Sequence, residues 1–243
     1  MKKGIITYSS SSAKIITCVL LTLLVFCSCN KKSKNGRTDT YASGKMILMC
    51  DESFSPIINE ELKVFHATYP DAQVTPQYIN ELDAFNALKQ MKVNLIIAAR
   101  NFRPDEIEYF NSHKLYPRYF PIGYDGLAFI CNNQNTDSCI TVENIKRILK
   151  GEVKTWGEIN KGSKLGEIDV VFDNNKSAAV HYAVDSILGG VPINSPNITA
   201  VNTSAEVINY VEKTPNSIGV IGSNWLNDKR DTTNVTFKKN ITV

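Results

Sequence analysis

Met46-Ile-Leu-Met-Cys-Asp-Glu-Ser-Phe-Ser-Pro56 decides how the rest of the chain is read. Met46 to Cys50 is a continuous apolar run without alternation, the pattern of a short buried strand. Asp51, Glu52, Ser53 and Ser55 then supply capping oxygens, and Pro56 suits the first position of a helix. Ile58, Leu62, Phe65 and Tyr69 follow at helical spacing until Pro70 stops the run. A strand that feeds straight into a helix aims the helix's free N–H groups at the strand's carboxyl end, where anions and polar ligands bind. An ordinary strand–helix turn of any α/β protein reads the same way, so this stretch sets a fold class before it sets a ligand.

The pattern repeats outward from there. Ala72 to Tyr78 is strand-like, with Pro76 marking its end or an edge position. Glu81 to Met91 is a helix with Leu82, Phe85 and Leu88 apolar. Asn94-Leu-Ile-Ile-Ala-Ala99 is a second continuous apolar run, read as a buried parallel strand that delivers Arg100 at its carboxyl end. Pro104-Asp-Glu-Ile107 opens another helix, proline first and acids in the first turn. The region therefore reads β-α-β-α-β-α, a parallel sheet layered with helices.

Phe120 to Asn132 is a long extended run in which Gly123 and Gly126 bracket a bend, suited to a crossing between two lobes. Thr141 to Gly151 is a helix with a threonine cap and a glycine stop. Trp156 falls in a polar loop, and Ile168 to Phe172 is a further apolar strand. Asp173-Asn-Asn-Lys-Ser-Ala-Ala-Val180 then runs into a helix whose apolar face is Val180, Ala183, Val184 and Ile187, ended by Gly189 and Gly190. Thr203-Ser-Ala-Glu206 is a capping box for a helix through Lys213. Ser217-Ile-Gly-Val-Ile-Gly222 is a final buried strand, and Asn234 to Val243 reads as one more.

The N-terminus reads as an export signal. Lys2, Lys3 and Lys14 precede an apolar run from Ile15 to Phe26, too short to span a bilayer comfortably and right for a signal-peptide core. Leu24-Val-Phe-Cys-Ser-Cys29 resembles a bacterial lipobox, which implies cleavage after residue 28 and lipidation of Cys29. Residues 29–43 read as a polar tether. The expected address is the periplasmic side of a bacterial membrane, held there by lipid.

The chain has 27 basic and 24 acidic residues, a formal charge of +3. Three of those lysines sit in the signal, so the remainder is balanced and offers no basic surface for nucleic acid. Cys50 reads as a small core residue. Cys131 and Cys139 flank a turn-rich stretch and fit either a disulfide or two free thiols. His66, His113 and His181 are scattered, so no metal is expected, nor any cofactor. Gly-x-Ser-x-Gly and phosphate-loop motifs are missing, and an enzyme is not expected.

The order of motifs is similar to the phosphate-binding (PstS-like) group of periplasmic solute-binding proteins, over roughly residues 45 to 228. The resemblance rests on Asp51-Glu-Ser-Phe54, Ile96-Ile-Ala-Ala-Arg100, Asp125-Gly-Leu-Ala-Phe-Ile-Cys-Asn132, Ile145 through Trp156, Val170 through Ser177, and Ser217 through Gly222. It implies a type II fold of two α/β lobes around a ligand cleft. The expected parts are a signal at 1–28, a tether at 29–43, one lobe at 44–124, a second at 125–222, and a return towards the first at 223–243. It further implies a monomer that captures an oxyanion, phosphate first, for an ABC transporter permease. A sensor or surface protein on the same fold is the alternative.

By this resemblance Ser53 and Phe54 match the first helix start of the family's site. Ser177, Ala178 and Ala179 match its second-lobe turn, with Ala179 standing where the family has threonine. Arg100 stands where phosphate binders keep an aspartate, and Asp173 where they keep an arginine. The pair is exchanged in sign between the lobes. Arg100 could clamp an oxyanion bidentately while Asp173 selects one that still carries a proton, or the two could pair with each other across the cleft.

Overall fold

A computed structural model describes residues 39–137, 139–226 and 241–243 of the 243-residue chain. The signal, Cys29, most of the tether and most of the final strand lie outside the described residues. The described residues from Lys45 onward form one compact unit. No helix among the described residues is long and apolar enough to cross a membrane.

Strand β1 (Gly44–Asp51) runs into a one-turn 3-10 helix, Glu52–Phe54, and then helix α1 (Ser55–Thr68), with Pro56 in its first turn. Strand β2 (Ala72–Ile79), helix α2 (Glu81–Lys89), strand β3 (Ile96–Ile97) and helix α3 (Pro104–Ser112) follow. Their strands form a three-stranded sheet in the order β2-β1-β3, with β1 and β3 parallel through Met49↔Ile96 and Cys50↔Ile97. Pro76 lies in an edge strand, where a missing N–H costs no ladder bond.

Two sequence expectations change here. Met46 and Ile47 are 37% and 44% exposed, so only the carboxyl half of β1 is buried. The apolar run at 94–99 forms just two strand residues, and these are half-buried. β3 is the other edge strand of a small sheet, and an edge has neighbours on one side only.

Strand β4 (Leu127–Asn132), helix α4 (Val142–Leu149), helix α5 (Trp156–Ile159), strand β5 (Asp169–Phe172), helix α6 (Ala178–Tyr182), strand β6 (Ile198–Ala200), helix α7 (Ser204–Lys213), strand β7 (Ser217–Gly222) and strand β8 (Ile241–Thr242) build the second sheet. Its order is β6-β5-β7-β4-β8. β5 is parallel to β6 and β7, whereas β4 is antiparallel to β7 and β8. Together the two sheets and their helices are the two-lobed α/β architecture the resemblance implies.

The larger sheet is buried on both faces. Val170, Phe172, Ile218 and Val220 pack on one side with Ile145, Ile148 and Leu149 of α4. Val171 and Ile221 pack on the other with Val207, Ile208 and Val211 of α7. Trp156 belongs to the first of these cores and not to a polar loop: it is fully buried, and its Nε1 donates to the Asn216 carbonyl at 2.9 Å. Burying the large ring demands that partner for its one polar atom. The smaller sheet packs Leu48, Cys50 and Ile58 together, with Phe54, Leu62, Val74, Tyr78 and Ile97 partly buried around them, and its lobe also buries Ala84, Phe85, Ala87, Val93 and Phe110.

Helix signals hold closely. Thr141, Ser177 and Thr203 each accept a backbone N–H with the side chain, at Asn144, Val180 and Glu206. Gly189 and Gly190, at φ +66° and +86°, stop the helical run that continues α6 through a π turn, Ala183–Ile187. Cys50, Cys131 and Cys139 are all free thiols, the first two buried and the third exposed.

Candidate functional site

The end of β1 is the centre of the candidate site. Asp51 is fully buried. One of its oxygens, Oδ1, accepts from the Ser53 N–H at 3.0 Å and from the Ser53 hydroxyl at 2.5 Å. The other, Oδ2, accepts from the backbone N–H of Ala178, the first residue of α6, at 3.3 Å. Glu52 reaches a different helix start: its Oε2 accepts from the N–H and the hydroxyl of Ser204 at 3.0 and 2.9 Å. Two adjacent carboxylates of the small sheet thus satisfy the free N–H ends of two helices of the large one.

Glu81, at the start of α2, is another carboxylate of the smaller lobe and is fully enclosed. Its Oε1 accepts from Ala99 N–H at 2.8 Å, and its Oε2 lies 2.6 Å from His181 Nδ1 and 3.4 Å from Arg100 Nε. Arg100 is forked on Glu106 by two bonds of 2.8 and 2.9 Å, and its guanidinium stacks 3.7 Å above the Phe85 ring. That bidentate pairing is the strong form of an ion pair.

Asp173 lies at the carboxyl end of β5, 1% exposed. Its Oδ1 accepts from Asn174 N–H at 2.9 Å, while its Oδ2 has no hydrogen-bond partner. Loss of solvent pushes its pKa up to about 7, and the neighbouring Asp51 and Glu52 charges add to that against the pull of Ser177. Burial likewise raises Asp51 and Glu52 above the ordinary carboxylate range, against the hydrogen bonds from Ser53, Ala178 and Ser204. The Arg100 fork, together with the Arg103 N–H, has the opposite effect on Glu106 and holds its pKa down against burial.

The residues singled out in the sequence divide into three groups. Ser53, Ser177 and Ala178 meet around Asp51: Ser53 as its donor, Ala178 as the amide across the cleft, and Ser177 as the cap of α6. Phe54 and Ala179 sit in the apolar cores beside them, Phe54 against the small sheet and Ala179 against the large. Arg100 and Asp173 do not pair with each other; Arg100 takes Glu106 and Glu81 instead.

Sequence reasoning passed over Glu81, Glu106, His181, Ser204 and Trp225 as site residues. Trp225 donates from Nε1 to the Ser53 carbonyl at 2.9 Å. The available signal was an acid at each strand-to-helix junction: Asp51, Glu81 and Asp173 all stand at such a place.

Comparison with known proteins follows the same lines. The profile of the PBP superfamily domain matches residues 35–243. The phosphate-binding protein PstS of Borreliella burgdorferi is 26% identical over 180 residues, 69% of this chain and 60% of that protein. The phosphate-binding protein PstS of Staphylococcus haemolyticus is 19% identical over 178 residues, 73% of this chain and 55% of that one. The chain spans less than two thirds of the length of these two relatives. A solved structure from Clostridium perfringens, described as a phosphate ABC transporter substrate-binding protein with bound phosphate, aligns with a TM-score of 0.63 at 22% identity, over 76% of this chain and 72% of that one. The reduced regulatory domain of OxyR2 from Vibrio vulnificus aligns with a TM-score of 0.53 at 9% identity, over 77% and 75%. At such identities the structural likeness speaks for the fold, and the fold alone serves more than one ligand.

Proposed function

This chain belongs to the PBP superfamily, and from that premise we propose that it is a solute-binding protein that captures an oxyanion, inorganic phosphate first, for an ABC importer. One observation carries the reading. The amides at Ala178 and Ser204 donate to carboxylate oxygens, and in this reading N–H groups placed so are two seats suited to an oxyanion. The names of the curated relatives support phosphate as the ligand class.

In this reading the lobes are residues 44–124 and 125–222, with 223–243 returning towards the first. Ser53, Ser177 and Ala178 face the cleft, Phe54 and Ala179 back them from the apolar cores, and Arg100 and Asp173 set the charge behind it. Residues 1–28 are a signal, Cys29 carries lipid, and residues 29–43 tether a monomer on the periplasmic side of the membrane, within reach of a permease. It binds and hands over, and does no chemistry on its solute.

A second reading has its own observation. Both seats are filled by the chain's own Asp51 and Glu52, and Arg100 is spent on Glu106. That favours a sensor or surface protein on the same fold that no longer takes phosphate. Titration calorimetry near neutral pH, with phosphate and then sulfate, separates the two. Saturable phosphate heat that sulfate does not compete is expected for the receptor. A folded protein that gives no heat with either anion ends the phosphate reading and leaves the second.

A further inference from the structure

Among the described residues, four polar links between the two lobes come from one short stretch and one helix start of the smaller lobe. Asp51 reaches Ala178, Glu52 reaches Ser204, Glu81 meets His181, and the Ser53 carbonyl accepts from Trp225. Three of these four links are carboxylates. The first two join residues 127 and 152 positions apart, so neither is a local helix cap. Each sits where the fold would otherwise leave free N–H groups pointing into the cleft.

Burying an ionised carboxylate is costly unless hydrogen bonds replace its water. Ser53 supplies part of that replacement to Asp51 from within the same lobe, and the opposite lobe supplies the rest, the Ala178 N–H to Asp51 and the N–H and hydroxyl of Ser204 to Glu52. Asp51 is fully buried, as is Ser204, and the donors at Ala178 and Ser204 are available to the carboxylates only when the lobes are together. Opening the cleft returns both carboxylates to water and strips both helix starts. The contacts are what a bound oxyanion would make, supplied from within the chain.

We propose that Asp51 and Glu52 are a built-in ligand: they hold the cleft closed with no solute present, and a dissolved oxyanion enters only by displacing them. The displacement half of this rests on the oxyanion reading above; the closing half does not. In this respect Asp51 and Glu52 determine specificity by competing for the seat. Asp173, with its unpartnered buried Oδ2, is the neighbouring acid whose ionisation their charges oppose.

Amide hydrogen exchange on the full-length chain tests it, in wild type and in the Asp51→Asn, Glu52→Gln double variant without added anion. Ala178 and Ser204 are expected to be protected in wild type and to exchange about tenfold faster or more in the variant, since charge-assisted bonds are lost. Ile218 to Ile221, in the core of the large sheet, should stay protected and report that the fold is intact. Equal exchange at Ala178 and Ser204 in the two proteins overturns the clasp. If the double variant does not fold, Glu52→Gln alone applies the same test at Ser204, because Glu52 is only half-buried.

Phosphate is then added to both proteins. Tighter phosphate binding to the variant than to wild type, by about tenfold, supports displacement. Equal affinity overturns the competition while leaving the oxyanion reading standing. No phosphate binding to either, with the exchange difference present, keeps the clasp and removes the oxyanion reading instead.

Discussion

The larger sheet is buried on both faces by helices, with a core that includes Trp156, Phe172, Ile148 and Ile218, whereas the smaller sheet rests on Leu48, Cys50 and Ile58, with Phe85 and Phe110 the largest other side chains its lobe buries. The charges are distributed the other way. Asp51, Glu52, Glu81, Arg100 and Glu106 all belong to the smaller lobe, and the large lobe answers with backbone N–H groups at Ala178 and Ser204, with His181 and with one buried acid, Asp173. One lobe is an apolar scaffold that presents helix ends, and the other is a thin frame that presents carboxylates. A fold built this way draws its stability from one half and much of its ligand-like chemistry from the other.

The largest effect expected from that contrast is in the scaffold. Trp156→Ala removes a fully buried ring and its bond to the Asn216 carbonyl, and should cost about 3–5 kcal/mol of unfolding free energy in urea. Ile58→Ala, in the smaller core, should cost about 2 kcal/mol, the low end for an aliphatic truncation, because its surroundings are only partly buried. Equal losses at the two positions would mean that the lobes share one cooperative core, and the contrast would fail.

Next in size is the charge that couples the lobes. Asp173 titrates at about 7 in the native chain because burial, Asp51 and Glu52 oppose its ionisation, against about 3.9 for a free aspartate. Between those values the unfolded chain gives up its proton while the native chain keeps it. Stability therefore falls as pH rises from about 4 to 7 and stays low above that. Asp173→Asn should flatten this slope and raise stability at pH 8, by on the order of 4 kcal/mol if the whole shift is relieved. Urea midpoints at pH 5 and pH 8 decide it, and parallel pH profiles in the two proteins would break the coupling. The groups that face Asp173 include Asp51 and Glu52, both raised as well, so neutralising either should pull the Asp173 titration downward.

This division between scaffold and charge also explains what the sequence made legible. The large lobe was readable almost element by element: a threonine or serine before each of α4, α6 and α7, glycines after α6, and β7 a continuous buried run. Caps and apolar runs are local signals, and helices and central strands obey them. Trp156 was misjudged because its polar neighbours in sequence say nothing about Asn216, 60 positions away. Met46, Ile47 and the short β3 were misjudged for a related reason: an apolar run shows that a strand is wanted, not how many strands will cover it. In the site, Asp51 and Glu52 were visible as capping oxygens, but the helices they serve lie in the other lobe. The partner of Arg100 was invisible for the same reason of register: six residues on, Glu106 sits in the first turn of α3, where an acid is expected for the helix alone.

The smallest effect offers the finest test of the contrast, because two buried thiols report on the two sheets separately. Cys50 lies in β1, and burial with Asp51 and Glu52 nearby pushes its pKa up to about 12. Cys131 lies in β4, pushed up to about 11 by burial and Asp137. On chemical grounds alone Cys50 should be the slower to alkylate, since the thiolate is the reactive form. A thin core predicts the reverse, because labelling of a buried thiol waits for local opening, and the smaller sheet should open more often. In a chain whose cysteines before residue 30 are replaced, exposed Cys139 should react at once and Cys50 next. Cys131 should follow last, by about tenfold if the sheets differ by roughly 1.4 kcal/mol in local stability. If Cys131 reacts before Cys50, the larger sheet is the weaker one on its β4–β8 side, and β8, which pairs with Cys131 and Asn132 among the described residues, would be the first place to look.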